Sequence, residues 1–215
     1  MKVSLKAWNL PRLLIVWVLN VAVFSGVLTG AVDIQNIDVL RALLTEVAEE
    51  PEAGWPFAGL VTVITIFNGA IPRSVKERLV FWPAPRPGSR AFSHFMLKDS
   101  TINRSLLREH FDPLPSLPDE QNALWAGWLH EFENDARVRP TYGLYLFARD
   151  WTAIALATWM LATPLAIVFA ENVSQALWYC AVLLVQFAFA RWLARVQGEQ
   201  LVMSVMASKA TSMRG

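Results

Sequence analysis

The amino-acid sequence predicts an all-α membrane protein with four transmembrane helices and a small helical cytoplasmic domain inserted between spans two and three. Three observations predict this fold class: the overall composition is apolar, the apolar residues fall into four long runs, and the basic residues avoid two of the intervening segments. Of the 215 residues, 54% are hydrophobic and only 17% are charged. This balance is too apolar for a typical soluble domain of this size.

Four apolar runs are each about long enough to cross a hydrocarbon core as a helix, which takes roughly 17–25 residues. They are Leu13–Val32, Trp55–Ile71, Trp151–Ala170 and Ala176–Trp192. Basic residues precede the first run, as they do in a signal peptide. This run exceeds the roughly 7–15 apolar residues of a signal peptide, so we interpret it as a transmembrane span.

The distribution of Lys and Arg predicts the orientation of the spans, because basic residues are retained on the cytoplasmic side. The segment Asp33–Gly54 contains six acidic residues and one base, Arg41, and the link at 171–175 contains Glu171 and no base. The other 18 of the 19 Lys and Arg residues lie in the N-terminal stretch, in the middle loop Pro72–Asp150, or from Arg191 onward. We therefore expect both termini and the middle loop to be cytoplasmic.

The spans divide the chain into four parts. Residues 1–71 form an N-terminal transmembrane hairpin with an external amphipathic helix, and 72–150 form a cytoplasmic helical domain. Residues 151–192 form a second transmembrane hairpin, and 193–215 form a cytoplasmic helical tail. The external helix is predicted from apolar residues at three- and four-residue steps, namely Ile34, Ile37, Leu40, Leu44 and Val47.

The middle loop is predicted to be mainly helical. Asp99 or Ser100 is a candidate N-cap for a short helix that runs through Phe111. A second helix is predicted from Asp119 to Asp135, and a third begins near Pro140, which suits a first helical turn. The third helix is expected to run into span three.

Span one carries small residues where leucine would be more soluble in lipid. Ala22, Gly26 and Gly30 recur at every fourth position and therefore share one helix face. Small residues let helix backbones approach closely in a bilayer, where the hydrophobic effect does not drive helices together. We interpret this face as a helix-packing surface, either within one subunit or between subunits of a homo-oligomer.

Polar residues within the spans are candidates for a pore-facing surface. Thr62, Thr65 and Gln186 have side chains that need partners or water in a hydrocarbon environment. No acidic residue, lysine or histidine lies in the centre of any predicted span. This absence argues against a proton-coupled transporter or a voltage sensor, since both classes normally carry charge within the membrane.

The start of the middle loop is basic and aromatic, which is typical of a contact surface for membrane lipids or for a protein partner. The candidate contact residues are Arg73, Lys76, Arg78, Phe81, Trp82, Arg86 and Arg90. Basic residues directly after a span are explained by the topology rule and by anionic headgroups. A proline-flanked aromatic segment also suits a soluble cytoplasmic protein partner, whereas we expect no direct contact with nucleic acid.

The sequence shows no pattern that predicts catalysis, a metal site or a cofactor, and we expect none of the three. His94, His110 and His130 are the only histidines, and the acids near His130 are Glu131 and Glu133. Their spacing matches no zinc signature. The single cysteine, Cys180, excludes an internal disulfide and a multi-cysteine metal site.

Four short strings in the middle loop resemble a family of small bacterial inner-membrane proteins of unknown function that are often found near mobile elements. The strings are ERLVFW (77–82), PGSRAFS (87–93), QNALW (121–125) and YLFARDW (145–151). The resemblance covers the middle loop and its junction with span three. It implies a bacterial inner membrane and a role in conflict with phages or plasmids, and it implies no catalytic residue.

Three functions are compatible with the sequence. The first is an oligomeric sensor, anchor or effector whose cytoplasmic domain engages a soluble partner. The second is a triggered pore that permeabilises the membrane. The third is a membrane enzyme that acts on lipid through His130 with Glu131 or Glu133, and it has the weakest basis because no catalytic pattern surrounds these residues.

Overall fold

The computed structural model of the chain describes residues 5–28, 66, 68–98, 102–170 and 172–213. Every regular element in these ranges is helical, and no strand occurs among them. The all-α class is therefore confirmed for the described part of the chain.

The chain divides into two compact units. The first unit contains Met1–Lys76 and Asp150–Ala190, and the second contains Glu77–Arg149 and Arg191–Gly215.

The first unit is built from long apolar helices. It contains α1 (Leu5–Leu28), the beginning of α2 (Arg73–Phe81), most of α6 (Arg139–Phe169), and α7 (Val173–Ser212) as far as Ala190. Small residues at the helix contacts let a large aromatic side chain enter the core, where Tyr179 is only 1% exposed and its ring centroid lies 5.8 Å from that of Phe24. The core consists of Val27, Ala162, Ala166, Ala176, Tyr179 and Leu183.

Two described helices, α6 and α7, are long and apolar enough to cross a membrane. The apolar stretch of α1 is shorter and covers Asn9–Phe24. Most of the predicted span Trp55–Ile71, the end of the predicted span Leu13–Val32, and the predicted external helix lie outside the described residues. The structure thus contains two helices of membrane-crossing length, while the four-span architecture stays a prediction.

The second unit is a compact helical assembly with an aromatic core. It contains the end of α2, a 3₁₀ turn (Pro87–Arg90), a π-helical turn (Ala91–Phe95), α3 (Met96–Lys98), α4 (Arg104–His110) and α5 (Pro118–Phe132), together with parts of α6 and α7. Trp128 lies at the centre of the core, with the rings of Phe92 and Phe111 each 5.1 Å from it between centroids.

The C-terminal part of α7 belongs to this core. Leu201, Val202, Val205 and Met206 are each at most 1% exposed. The helix continues to Ser212.

Local signals in the sequence explain where the loop helices begin. Asn103 caps α4, because its side-chain oxygen accepts a hydrogen bond from the backbone N–H of Leu106 at 3.3 Å. The helix therefore begins later than a cap at Asp99 or Ser100 would place it, and those two residues lie outside the described ranges. Pro118 occupies the first turn of α5, with Asp119 and Glu120 beside it to complement the helix dipole.

The second and third predicted loop helices are both present. The second was predicted over Asp119–Asp135, and α5 ends three residues earlier, at Phe132. The third corresponds to α6, which begins at Arg139 with Pro140 in its first turn and continues without interruption to Phe169.

Candidate functional site

The seven predicted contact residues at the start of the middle loop differ in their exposure. Arg73, Arg78, Trp82 and Arg86 are exposed, and Arg90 is partly exposed with its guanidinium 5.6 Å from the centroid of the Phe95 ring. Lys76 and Phe81 are each only 5% exposed, so their contacts are made inside the protein. The surface that the second unit presents here is thus formed by Arg78, Trp82 and Arg86, which we call the α2 patch.

Lys76 belongs to a buried polar network in the first unit. Its Nζ lies 3.2 Å from Asp150 Oδ1 and donates to the backbone oxygen of Asn68 at 2.7 Å and to Asn68 Oδ1. Asn68 Nδ2 in turn donates to Asp150 Oδ2 at 3.2 Å. A buried charge needs both an opposite charge and hydrogen bonds to offset its lost hydration. The network supplies both, and it fixes the start of α2 against α6.

The other end of α2 is held by two arginines of α7. The last carbonyl groups of a helix have no partner within the helix and carry a partial negative charge. Arg195 Nε donates to the oxygen of Val80 at 2.6 Å, and its Nη2 donates to the oxygens of Phe81 at 3.3 Å and Trp82 at 2.6 Å. Arg191 Nε donates to the oxygen of Val80 at 3.3 Å, and its Nη2 donates to that of Trp82. We call Arg191 and Arg195 the arginine clamp.

A buried glutamine of α5 connects the π turn with the segment that precedes α5. Gln121 is 1% exposed, and its Oε1 accepts hydrogen bonds from the backbone N–H groups of Phe92 at 3.1 Å and Ser93 at 3.2 Å and from Ser93 Oγ at 3.2 Å. Its Nε2 donates to the oxygen of Ser116 at 2.9 Å. One side chain therefore satisfies polar groups from two separate segments of the loop.

Gly88 allows the 3₁₀ turn to pack closely against α5. A Cβ atom at this position would lie 2.6 Å from Asn122 Oδ1 and 2.7 Å from Trp125 Cε3. Both distances are shorter than any ordinary contact of a Cβ atom. A side chain at 88 would therefore force the side chains of Asn122 and Trp125 to move.

The four strings that carry the family resemblance meet in pairs. PGSRAFS contacts QNALW through Gln121 and Gly88, as described above. ERLVFW contacts YLFARDW through the rings of Phe81 and Tyr145, whose centroids lie 6.4 Å apart and which both pack around Gly198. The described contacts thus give these strings a structural role in the second unit, a role that the sequence alone did not reveal.

The first unit contains an apolar cavity of about 240 Å³. Asn20 and Tyr179 supply polar groups at its wall, where the Tyr179 hydroxyl donates to the backbone oxygen of Asn20 at 3.2 Å. Asn20 Nδ2 is buried and has no hydrogen-bond partner in the described part of the chain. The remaining lining is mainly aliphatic and aromatic, with Trp17, Val21, Phe24, Ile154, Ala157, Thr158, Leu161, Ala162 and Leu165.

The predicted packing and pore-facing residues are only partly covered by the described ranges. Ala22 is half-buried on α1, and Gly26 lies within the same helix. Gly30, Thr62 and Thr65 lie outside the described residues. Gln186 is half-buried on α7, and its Oε1 is buried without a hydrogen-bond partner in the described part of the chain.

The three histidines lie on the surface of the second unit. His94, His110 and His130 are all exposed, and their polar contacts are local: His110 Nδ1 lies 3.1 Å from the Leu106 oxygen, and His130 Nδ1 lies 3.9 Å from Glu133 Oε2. The His130 side chain is 88% exposed. Among residues 5–28, 66, 68–98, 102–170 and 172–213, no group of three His, Cys, Asp or Glu side chains is arranged to hold a metal ion.

No family model, curated protein or solved structure matches this chain. The resemblance to a family of small bacterial inner-membrane proteins therefore stays a prediction based on the four strings.

Proposed function

We propose that the chain is a multi-pass protein of the bacterial inner membrane, with four spans and with both termini and the middle loop in the cytoplasm. One observation carries the membrane location: the most apolar stretches of α6 and α7 are only 28% and 22% buried. The core helix of a soluble protein buries its apolar side chains, whereas a helix in lipid leaves many of them on the outside.

We call the exposed large apolar side chains of α6 and α7 together the apolar belt. On α6 it comprises Met160, Leu161, Leu165, Ile167, Val168 and Phe169. On α7 it comprises Val173, Leu177, Trp178, Val182, Leu184, Val185, Phe189 and Trp192. Exposure of these apolar side chains to water would be strongly unfavourable. We therefore expect them to contact lipid or a second copy of the chain.

The length of the apolar stretches supports a bilayer. Residues 151–169 of α6 and 173–190 of α7 each extend about 27–28 Å at a rise of about 1.5 Å per residue. This length is close to the roughly 30 Å of a hydrocarbon core. Asp150 precedes the first stretch and Arg191 follows the second, so a charged residue limits each apolar stretch on one side.

Within the membrane the chain acts as an oligomeric sensor, anchor or effector component whose cytoplasmic unit engages a soluble protein. The α2 patch supports this role, because Trp82 is 64% exposed and is accompanied by Arg78 and Arg86. Trp and Arg are the residue types most enriched at the energetic centres of protein interfaces. The resemblance supports a setting in defence against phages or mobile elements, and the small residues of α1 support self-association.

Fractionation and co-purification test this function. The full chain should stay with the membrane during alkaline carbonate extraction and should float with reconstituted liposomes. It should also co-purify with a soluble protein, and the double variant Arg78→Ala/Trp82→Ala should lose that protein while remaining in the membrane. Arg108→Ala, which changes another exposed arginine of the second unit, is the matched control. Extraction of the wild-type chain by carbonate would reject the membrane location.

A triggered pore is the second candidate function, and Gln186 favours it. Its side-chain oxygen is buried without a partner among the described residues, on an apolar stretch of α7. Such a group is stabilised when it contacts water or another polar group. Release of a trapped dye from liposomes tests this candidate: wild-type release that Gln186→Leu abolishes would support a pore. No described contact favours the lipid-enzyme alternative at His130.

A further inference from the structure

The arginine clamp carries more positive charge than the helix end that it binds. The C-terminus of α2 contributes about half of an elementary negative charge, whereas Arg191 and Arg195 contribute two positive charges. Both guanidiniums donate to the oxygens of Val80 and Trp82, so the two charges lie side by side. Neither guanidinium forms an ion pair with a carboxylate of the described residues. An anion from outside the chain is therefore a favourable partner.

Each guanidinium also keeps donors for such an anion. The hydrogen bonds to α2 use Nε and Nη2 of both arginines. Their Nη1 groups make no hydrogen bond to the described residues, and both side chains are partly exposed. The planar fork of a guanidinium matches the oxygens of a phosphate group, and charge-assisted hydrogen bonds of this type are strong.

The position of the arginine clamp along α7 indicates that this anion belongs to a lipid headgroup. Trp192, which follows Arg191 directly, is 58% exposed and is the last member of the apolar belt. Beyond it, none of the described large apolar side chains of α7 is exposed. Trp82, whose carbonyl group is held by both arginines, is 64% exposed. Exposed tryptophans at the end of an apolar stretch are typical of the level of the lipid headgroups.

We propose that Arg191 and Arg195 form a binding site for the phosphate of an anionic phospholipid headgroup. This inference rests on the proposed membrane location. It adds a site that differs from the α2 patch, and it gives the clamp two tasks: the Nε and Nη2 groups fix α2, while the Nη1 groups bind the headgroup. Occupation of the site by lipid then stabilises the contact between α2 and α7.

The test compares the thermal unfolding of the full-length protein in nanodiscs of phosphatidylcholine alone and of phosphatidylcholine mixed with phosphatidylglycerol. The anionic lipid is expected to raise the Tm of the wild-type chain by about 5 °C, as two arginines that each gain a headgroup contact would in a chain of this size. Arg191→Gln/Arg195→Gln should lose most of this increase. Arg108→Gln, an exposed arginine of α4, should keep it.

The design separates the lipid site from a clamp that is only structural. A structural clamp predicts that the double Gln variant has a lower Tm by the same amount in both bilayers, and this result would overturn the proposal. If the double Gln variant does not fold, Arg191→Lys/Arg195→Lys preserves both charges and should retain a smaller increase than the wild type. A full wild-type increase in that variant would overturn a site that depends on the guanidinium fork.

A further arm separates lipid from a soluble anion. Inorganic phosphate added to the phosphatidylcholine nanodiscs should leave the wild-type Tm unchanged, because the headgroup is held at the membrane surface. The same increase with inorganic phosphate would overturn the assignment to lipid. Liposome flotation is measured first: a chain that does not float contradicts the proposed membrane location, whereas a chain that floats without preferring anionic lipid contradicts only the present inference.

Discussion

Lys76 Nζ lies 3.2 Å from Asp150 Oδ1, and the two side chains are only 6% and 9% exposed. These residues are separated by almost the whole middle loop in the sequence, yet they pair within the first unit together with Asn68. The pair therefore closes the loop at its base. It gives the loop a defined start and end, independent of the packing inside the second unit.

Removal of one member of this pair is expected to destabilise the protein strongly. Lys76→Met breaks the buried ion pair with Asp150, and the loss of one member of such a pair typically costs about 3–5 kcal/mol of the free energy of unfolding. Thermal unfolding of the purified chain in detergent measures the loss. The exposed pair of Lys98 and Glu199, at 3.8 Å, is the control, and Lys98→Met should cost less than about 1 kcal/mol. Equal losses in the two variants would show that the Lys76 network stabilises the protein no more than an exposed ion pair does.

Gln121 is expected to be sensitive to replacement by an apolar residue of similar size. Gln121→Leu removes the acceptor of the buried Phe92 N–H, and it also removes the hydrogen bonds to the exposed residues Ser93 and Ser116. We expect a loss of about 1–3 kcal/mol in the free energy of unfolding, which is the cost of one unsatisfied buried group. Gln200→Leu changes an exposed glutamine of α7 and should have little effect. A Gln121→Leu protein with the wild-type Tm would refute this role.

Two glycines give a matched pair of opposite predictions. Gly88→Ala places a methyl group within 2.7 Å of Trp125 and closer still to Asn122, and it should destabilise the protein by about 1–3 kcal/mol through overpacking. Gly127→Ala lies in the middle of α5, where a Cβ atom meets nothing within 4 Å. It should stabilise the protein by about 0.5–1 kcal/mol through helix propensity. Urea unfolding of both variants checks the signs, and a destabilising Gly127→Ala would contradict the described environment of α5.

The aromatic contact between Phe81 and Tyr145 predicts a second sensitive glycine. Gly198→Val on α7 would bring side-chain atoms into the space where a Cβ atom already lies 2.8 Å from Phe81 Cζ. We expect the second unit to lose its fixed packing near α2, with increased cleavage by protease around Trp82. Limited proteolysis of the detergent-solubilised chain measures this change. A Cβ atom at Gly69 meets no atom of the described residues within 4 Å, so Gly69→Val should leave the cleavage pattern unaltered.

The helices of this fold could be predicted because their signals are local. Pro118 and Pro140 indicate helix starts, and the long apolar stretches of α6 and α7 indicate their length. The cap of α4 was misplaced because Asp99, Ser100 and Asn103 are all good caps by residue type. Only the packing of Leu107 in the core selects the helix register that places Asn103 at the N-cap.

The candidate sites could be predicted only in part, because their contacts join distant segments. A lysine directly after an apolar run indicates a headgroup contact, and nothing near Lys76 in the sequence identifies Asp150 as its partner. The topology rule already explains why Arg191 and Arg195 follow an apolar run, so the sequence gives no separate reason to expect their hydrogen bonds to α2. Gln121 resembles a surface residue of an amphipathic helix, and its burial becomes evident only when the turn at Phe92 and Ser93 packs against it.

Cysteine labelling in spheroplasts tests the central claim of a membrane-spanning chain with a cytoplasmic middle loop most directly. In a Cys180→Ser background, Ser116→Cys reports on the exposed loop before α5, and Asn172→Cys reports on the exposed link between α6 and α7. A membrane-impermeant maleimide should label Asn172→Cys in intact spheroplasts and should label Ser116→Cys only after lysis. Labelling of Ser116→Cys in intact spheroplasts, or equal labelling of both variants in the soluble fraction, would contradict the account.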